Sequence, residues 1–333
     1  MKVAVLLFNL GGPENPEDVR PFLANLFADR DTIRFPGGRL GQRFFSWLVT
    51  TLRTPGAKAN YQKIGGSPLV RWTRTQGEGM RERVERDTDI SLLALPCMRY
   101  WHPMTDEAFA TALDWGADHI VAFSQYPHAC AASSGNSLRE IRRVAKDINL
   151  PIPMTEIESW HDHPGYVAAV AECVGEAADR MRSEGVGEAT VLYSAHSLPM
   201  KIVDAGDPYP DQVRETVELV QRKTGLDWPF EVSWQSRVGP MSWLRPSTVE
   251  RVQALAEQGS RDLIIVPISF TSDHIETLHE LDIELFEVAN RAGIRNFVRA
   301  PSLNARPIFL DALARILCEH LTANGLVSSR VAR

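Results

Sequence analysis

The sequence predicts an α/β protein of two similar halves, each a four-stranded parallel sheet flanked by helices. Three observations carry this expectation. Eight short apolar runs recur along the 333 residues. Segments with apolar residues at helical spacing separate them. The runs are continuously apolar rather than alternating, as in parallel strands covered on both faces.

In chain order the first four runs are VAVLLFNL (3–10), ISLLALPC (90–97), HIVAFSQY (119–126) and IPMTEIES (152–159). The second four are ATVLYSAH (189–196), FEVSWQS (230–236), DLIIVPIS (262–269) and FVRAPSL (297–303). Helical patterns such as DEAFATALDWGA, YVAAVAECVGEAADRMRSEG and STVERVQALAEQGSRD lie between them. At about 150 residues per domain the length suits two domains. We place the first at 1–162 and the second at 163–308, joined near WHDHPGY, with a C-terminal helix and tail at 309–333. The basic, aromatic stretch 36–66 fits neither pattern and reads as a lid or lip.

Composition narrows the function. With 44% hydrophobic and 23% charged residues, the chain is that of a soluble globular protein. A net charge of −6 argues against nucleic acid as a partner. The N-terminal apolar run is short and meets a Gly-Gly-Pro turn, unlike a signal peptide, so a cytoplasmic location is expected. Cys97, Cys130, Cys173 and Cys318 are scattered without a CxxC, which predicts free thiols rather than a zinc site or a disulfide framework.

Ligands of such sheets bind beyond the carboxyl ends of the strands, so the candidates for chemistry are NLGGP, PCMRYWHP, SQYPHAC, SAHSLP, QSRVGP and SFTSDHIE. Two halves with facing functional ends would enclose a cleft. NLGGPENPEDV has neither phosphate-loop pattern and reads either as a tight turn, with Pro16 opening a helix, or as a place where a flat ligand meets bare backbone. In SAHSLPM, His196 ends a strand. Ser194 and Ser197 beside it lack the GxSxG context of a hydrolase nucleophile. RYWHP and QSRVGPMSWLRP join arginine to large aromatics. With Tyr61, Tyr126 and Trp243 they suit a planar anionic ligand, stacked by rings and held at its carboxylates by guanidinium.

FTSDHIETLHELDIELF (270–286) carries five carboxylates and no lysine or arginine. Asp273 followed by Glu276 fits a capping box. At α-helical spacing Asp273, Glu276, Glu280 and Glu284 fall within roughly 80° of arc, and His274 faces inward with the leucines. Like charges in that register repel by about 0.2–0.5 kcal/mol per pair, which points to a cation or proton that belongs there. The capping and cation readings are compatible, and both stand. An oxygen-rich set with imidazole and no thiolate suits a labile divalent ion such as Fe(II), Mn(II) or Mg(II).

LFNLGGP, YQKIGGSPL, MRYWHP, SQYP, YSAHSLPMKIVDAGDPYPDQV, WQSRVGPMSWLRP and VPISFTSDHIETLHELDIE, in this order from residue 5 to about 305, together resemble the ferrochelatases. The resemblance implies a class II chelatase fold of two Rossmann-like domains and insertion of Fe(II) into protoporphyrin IX to form protohaem. It also implies that His196 is the active-site histidine and Glu276 its partner carboxylate, both candidate metal ligands. His274, Glu280 and Glu284 would form a metal or proton path, and Leu10, Tyr61, Arg99, Tyr100, Tyr126 and Trp243 the porphyrin contacts. Residues 36–66 match the family's lip, which implies peripheral contact with the inner face of a membrane. Iron is expected as substrate, with no tightly bound cofactor. Some members carry a [2Fe–2S] cluster on C-terminal cysteines, but only Cys318 lies near this C-terminus and Cys130 is one position from the internal ligand, so none is expected. The alternatives are a coproporphyrin III or sirohydrochlorin chelatase and a non-catalytic tetrapyrrole carrier.

Overall fold

The computed structural model describes residues 1–327 apart from Arg34, Val238 and Pro240. The chain divides into two compact units. One comprises 1–126, 130–159 and the segment from Leu317, and the other 127–129 and 160–316. The join falls at Trp160, and the C-terminal helix contributes to both units.

All eight apolar runs are strands: β1 (Lys2–Asn9), β2 (Ser91–Met98), β3 (His119–Ser124), β4 (Met154–Ile157), β5 (Thr190–His196), β6 (Phe230–Gln235), β7 (Asp262–Pro267) and β8 (Asn296–Arg299). They form two parallel sheets of the same topology, ordered β2-β1-β3-β4 in the first unit and β6-β5-β7-β8 in the second. Strands β1 and β5 are nearly all buried, as expected for central strands with helices on both faces. In each sheet the chain turns to one side after the central strand and later returns on the other. That topological switch is where such folds open a crevice at the strand ends.

The first unit carries α1 (Val19–Ala28), α2 (Gly38–Lys63), α3 (Leu69–Asp87), α4 (Thr105–Asp114) and α5 (Ser134–Asp147). Gly77 lets α3 lie close on the sheet, since a Cβ there would stand 2.9 Å from Ala94 Cβ and from Leu7 Cδ1. In NLGGP, Gly11 is left-handed (φ 84) and a Cβ on Gly12 would collide with Ser67, so packing accounts for both glycines. Pro16 lies in a turn, and α1 begins only at Val19.

The lip stretch proves to be the helix α2, with Pro55 inside it. Its polarity is inverted. Gln42, Ser46 and Thr50 are buried, whereas Leu40, Phe44, Trp47 and Leu52 are 57–82% exposed. Gln42 fits inside because its amide donates to Phe27 O and Ile33 O, both at 2.9 Å.

The second unit carries α6 (Pro164–Ser183), α7 (Met200–Val203), α8 (Tyr209–Thr224), α9 (Thr248–Glu257), a π-helix (Glu276–Leu285) and α10 (Phe286–Ala292), and α11 (Pro307–Ala323) is divided between the two units. The acidic stretch is therefore wound i→i+5 rather than as an α-helix, a rare form concentrated at functional sites.

Candidate active site

Strand β5 ends at His196, which pairs in register with Gln235 at the end of β6. Its backbone is fixed on both sides: the amide donates to Ser269 Oγ at 2.9 Å, and the carbonyl accepts the Tyr209 hydroxyl at 3.0 Å. Strand β7, paired with β5, leads into the π-helix and Glu276. The crevice at the switch of this sheet therefore has a histidine on one side and a carboxylate on the other. His196 Nδ1 lies 2.8 Å from Glu276 Oε2.

Surrounding protein disfavours charge on both groups, but each is overruled by the other. Burial opposes protonation of His196. The adjoining Glu276 and the more distant Glu280 outweigh it and raise the imidazole above its ordinary value. Burial likewise pushes Glu276 upward, yet His196 and His274 hold it well below the usual carboxylate range. An ionised carboxylate only accepts, so His196 Nδ1–H donates and Nε2 is left with no protein partner among the described residues. The His196 side chain keeps 42% of its surface open.

His274 packs inward as expected, its ring 4.5 Å from Phe270, with Nδ1 donating to Ser272 O at 3.0 Å and Nε2 3.9 Å from Glu276. Glu280 comes next, held by the Ser236 amide at 2.7 Å, the Ser236 hydroxyl and Gln235 Nε2 at 3.2 Å. Ser236 takes a left-handed backbone (φ 63) to make these bonds, a strain typical of functional sites. Ser194 Oγ donates to Gln235 Oε1 at 2.7 Å and so turns the amide nitrogen toward Glu280. Ser194 is fully buried and serves as a support for that amide, not as a nucleophile. Burial first, then the charge of Glu276, raises Glu280 despite its donors. Glu284 lies further on, 3.6 Å from the buried His279.

The capping-box expectation is corrected. Asp273 accepts the Thr277 hydroxyl, four residues on, together with Ser302, Asn304 and Arg299, and Glu276 turns to His196 instead of back to the helix start. The absence of counterions also proves partial. Arg299, from β8, pairs with Asp273 and Asp282. Among the described residues Glu276, Glu280 and Glu284 meet histidines, Gln235 and Ser236 but no lysine or arginine.

The other expected contacts lie as follows. Trp243 sits in the loop after β6, bridged to Pro199, with its indole nitrogen buried. In the first unit Leu10 follows β1, Tyr126 follows β3, and Tyr61 is a buried residue of α2. Arg99 was expected to grip a ligand carboxylate, but it is already neutralised by Asp29 at 2.8 Å and Glu140 at 3.7 Å. Tyr100, 2% exposed, gives its hydroxyl to Asp29 at 2.6 Å. The cavity of about 320 Å³ that these two residues line also carries Asp29, Asp106 and Glu140. Three carboxylates therefore stand beside one guanidinium around this cavity. Arg237 and Arg245 are likewise paired with Glu250.

Gln235, Ser236, Arg299 and Phe270 escaped the sequence reading. QSRVGP lies at a strand end, but its arginine and the aromatics that follow dominate its pattern. Arg299 lies in an apolar run and gives no local signal.

The two-sheet fold is shared with solved metal chelatases. Among solved structures, SirB from Bacillus subtilis with Fe3+ matches in fold with a TM-score of 0.54, 15% identity and 98% of each chain covered. The cobalt complex of the sirohydrochlorin chelatase SirB matches at a TM-score of 0.52, 12% identity, 98% of this chain and 99% of that one. The sequence is more specific. The ferrochelatase family pattern matches residues 2–321, and the chain belongs to that family. Relatives named ferrochelatase include those of Gloeobacter violaceus, 44% identical over 96% of this chain and 98% of the relative, and Picosynechococcus sp., 42% identical over 96% and 83%. The mitochondrial ferrochelatase of Gallus gallus is 39% identical over 99% of this chain and 83% of its own length.

Proposed function

We propose that the protein inserts Fe(II) into protoporphyrin IX, releasing two protons to give protohaem, and that His196 Nε2 accepts those protons. The observation that carries this is the 2.8 Å contact from His196 Nδ1 to Glu276 beside an open imidazole face. A flat porphyrin hides two N–H protons and points its lone pairs into a small hole. Binding the macrocycle bent exposes both. The two pyrrole N–H bonds then break heterolytically one after the other onto Nε2, each nitrogen electron pair going to iron, and the first proton leaves Nε2 before the second arrives. Glu276 stabilises the imidazolium that forms, as the carboxylate does in other histidine-base sites.

The two carboxylates divide the work. Glu276 is held ionised, whereas Glu280 is pushed toward its protonated form. Environments that separate two such groups assign their roles. Glu280 takes the proton onward, and Glu284 beside His279 continues the file. This order supports a proton route along the π-helix. Trp243 in the second unit offers an aromatic surface of the kind that a macrocycle stacks on.

Iron enters as substrate and no resident cofactor is needed. Chelator-treated protein, supplied anaerobically with Fe(II), should metallate protoporphyrin IX faster than coproporphyrin III or sirohydrochlorin. A faster rate with either of the others reassigns the substrate. Porphyrin binding without a metalloporphyrin spectrum makes the protein a carrier.

No helix among the described residues is long and apolar enough to cross a membrane. The inverted helix α2 supports surface contact instead. Leu40, Phe44, Trp47 and Leu52 are exposed beside Arg39, Arg43 and Arg53, the arrangement of an interfacial helix. We place the protein at the inner face of the membrane. It should sediment with anionic vesicles, less so at high salt, and Leu40→Glu/Trp47→Glu should abolish binding while leaving metallation in detergent intact. Equal sedimentation of wild type and variant would refute the contact.

A further inference from the structure

The arginine that neutralises part of the acidic stretch holds it in two places. Arg299 is the last residue of β8, and its side chain is 13% exposed. Its Nε and Nη2 donate to the two oxygens of Asp282 at 2.5 and 3.0 Å. Nη2 also lies 3.2 Å from Asp273 Oδ1, and Nη1 donates to Ser302 Oγ at 3.2 Å. Asp273 is saturated from its own side by Ser302 at 2.7 Å and Asn304 at 2.8 Å. One guanidinium thus joins the residue three before Glu276 to the residue two after Glu280, and both reactive carboxylates lie between its two anchors.

A π-helix is disfavoured locally and persists where tertiary contacts impose it. A planar fork bonded at both ends fixes the length and the turn of the segment between them, which a flexible ammonium would not do. The same ion separates the five acids into two sets. It neutralises Asp273 and Asp282 and leaves Glu276, Glu280 and Glu284 uncompensated for cations or protons.

We propose that Arg299 is a positioning residue for the metallation reaction. By clamping Asp273 and Asp282 it holds the π-helix so that Glu276 meets His196 and Glu280 meets Ser236. This rests on reading His196 and Glu276 as the reacting pair. Misplacing reacting groups by about an ångström costs on the order of 100-fold.

The test compares Arg299→Met, Arg299→Lys and Arg306→Met in the full chain. Arg306 is a suitable control because it also binds two carboxylates of the same unit, Glu172 and Glu176 on α6, away from the π-helix. Arg299→Met should lose about 100-fold in kcat, with the porphyrin KM within about threefold and partial recovery in Arg299→Lys. Arg306→Met should keep its kcat even where its Tm falls as far. If Arg299→Met does not fold, Asp282→Asn, whose side chain is 34% exposed, should show the same split at about tenfold. Wild-type kcat in the folded variants, or equal losses in the Arg299 and Arg306 variants at matched Tm, would overturn the proposal. His196→Ala measured alongside separates the two levels. If it loses kcat while the Arg299 variants do not, only the positioning role fails. If it keeps kcat, the pair itself has been misread.

Discussion

His196→Ala should lose between about 10² and 10⁴ in kcat, the range that a positioned general base supplies, while binding protoporphyrin within about threefold of wild type. The separation is expected because the imidazole acts on the pyrrole protons, whereas apolar and stacking contacts hold the macrocycle. Local damage should be small. The His196 side chain is 42% open, and its backbone contacts to Ser269 and Tyr209 do not involve the ring. Fluorescence quenching measures porphyrin binding, and anaerobic stopped-flow absorbance measures metallation. Wild-type kcat in this variant would refute the base assignment. Loss of binding in parallel with kcat would make His196 a binding group.

Glu276→Gln should produce the second largest loss and a shift in pH dependence whose direction is fixed. His196 must be neutral to accept a proton, so kcat/KM rises with pH through its titration. In the native site burial lowers that titration, and the charges of Glu276 and Glu280 overcome burial to raise it. Neutral glutamine removes the larger of the two raising charges and leaves the burial, so the rising limb should move to lower pH. The plateau should fall by about tenfold or more, because the imidazolium loses its stabilising carboxylate. An unmoved limb, or one moved upward, would separate Glu276 from His196 chemistry. The neutral form is reached at higher pH than for a free imidazole.

These predictions depend on residues of unequal visibility in the sequence. The strands were legible because each parallel strand is buried on both faces and must be apolar throughout. Their carboxyl ends then marked His196 and the acidic stretch without knowledge of the pairing between β5 and β7. Contacts made at long range were not legible. The spacing of Asp273 and Glu276 satisfies a capping box, but Ser302, Asn304 and Arg299, some thirty residues later, claim Asp273 first. The i→i+5 winding has no signature in the spacing of the acids, which fits either helix. The partners of Arg99 were hidden for a related reason. A guanidinium beside tyrosine and tryptophan reads as a ligand grip until Asp29 and Glu140 are seen to occupy it. Helix α2 was obscured by its inversion, since the apolar stripe that normally locates the core here faces outward.

The proposed route takes the pyrrole protons out through His196 Nε2. It is tested most directly by single-turnover metallation of prebound protoporphyrin IX by Fe(II), in wild type and His196→Ala, as a function of pH. The wild-type rate should rise tenfold per pH unit and level off above the ordinary imidazole value of about 6.5, and that limb should be absent from His196→Ala. The same limb in both proteins would contradict the claim.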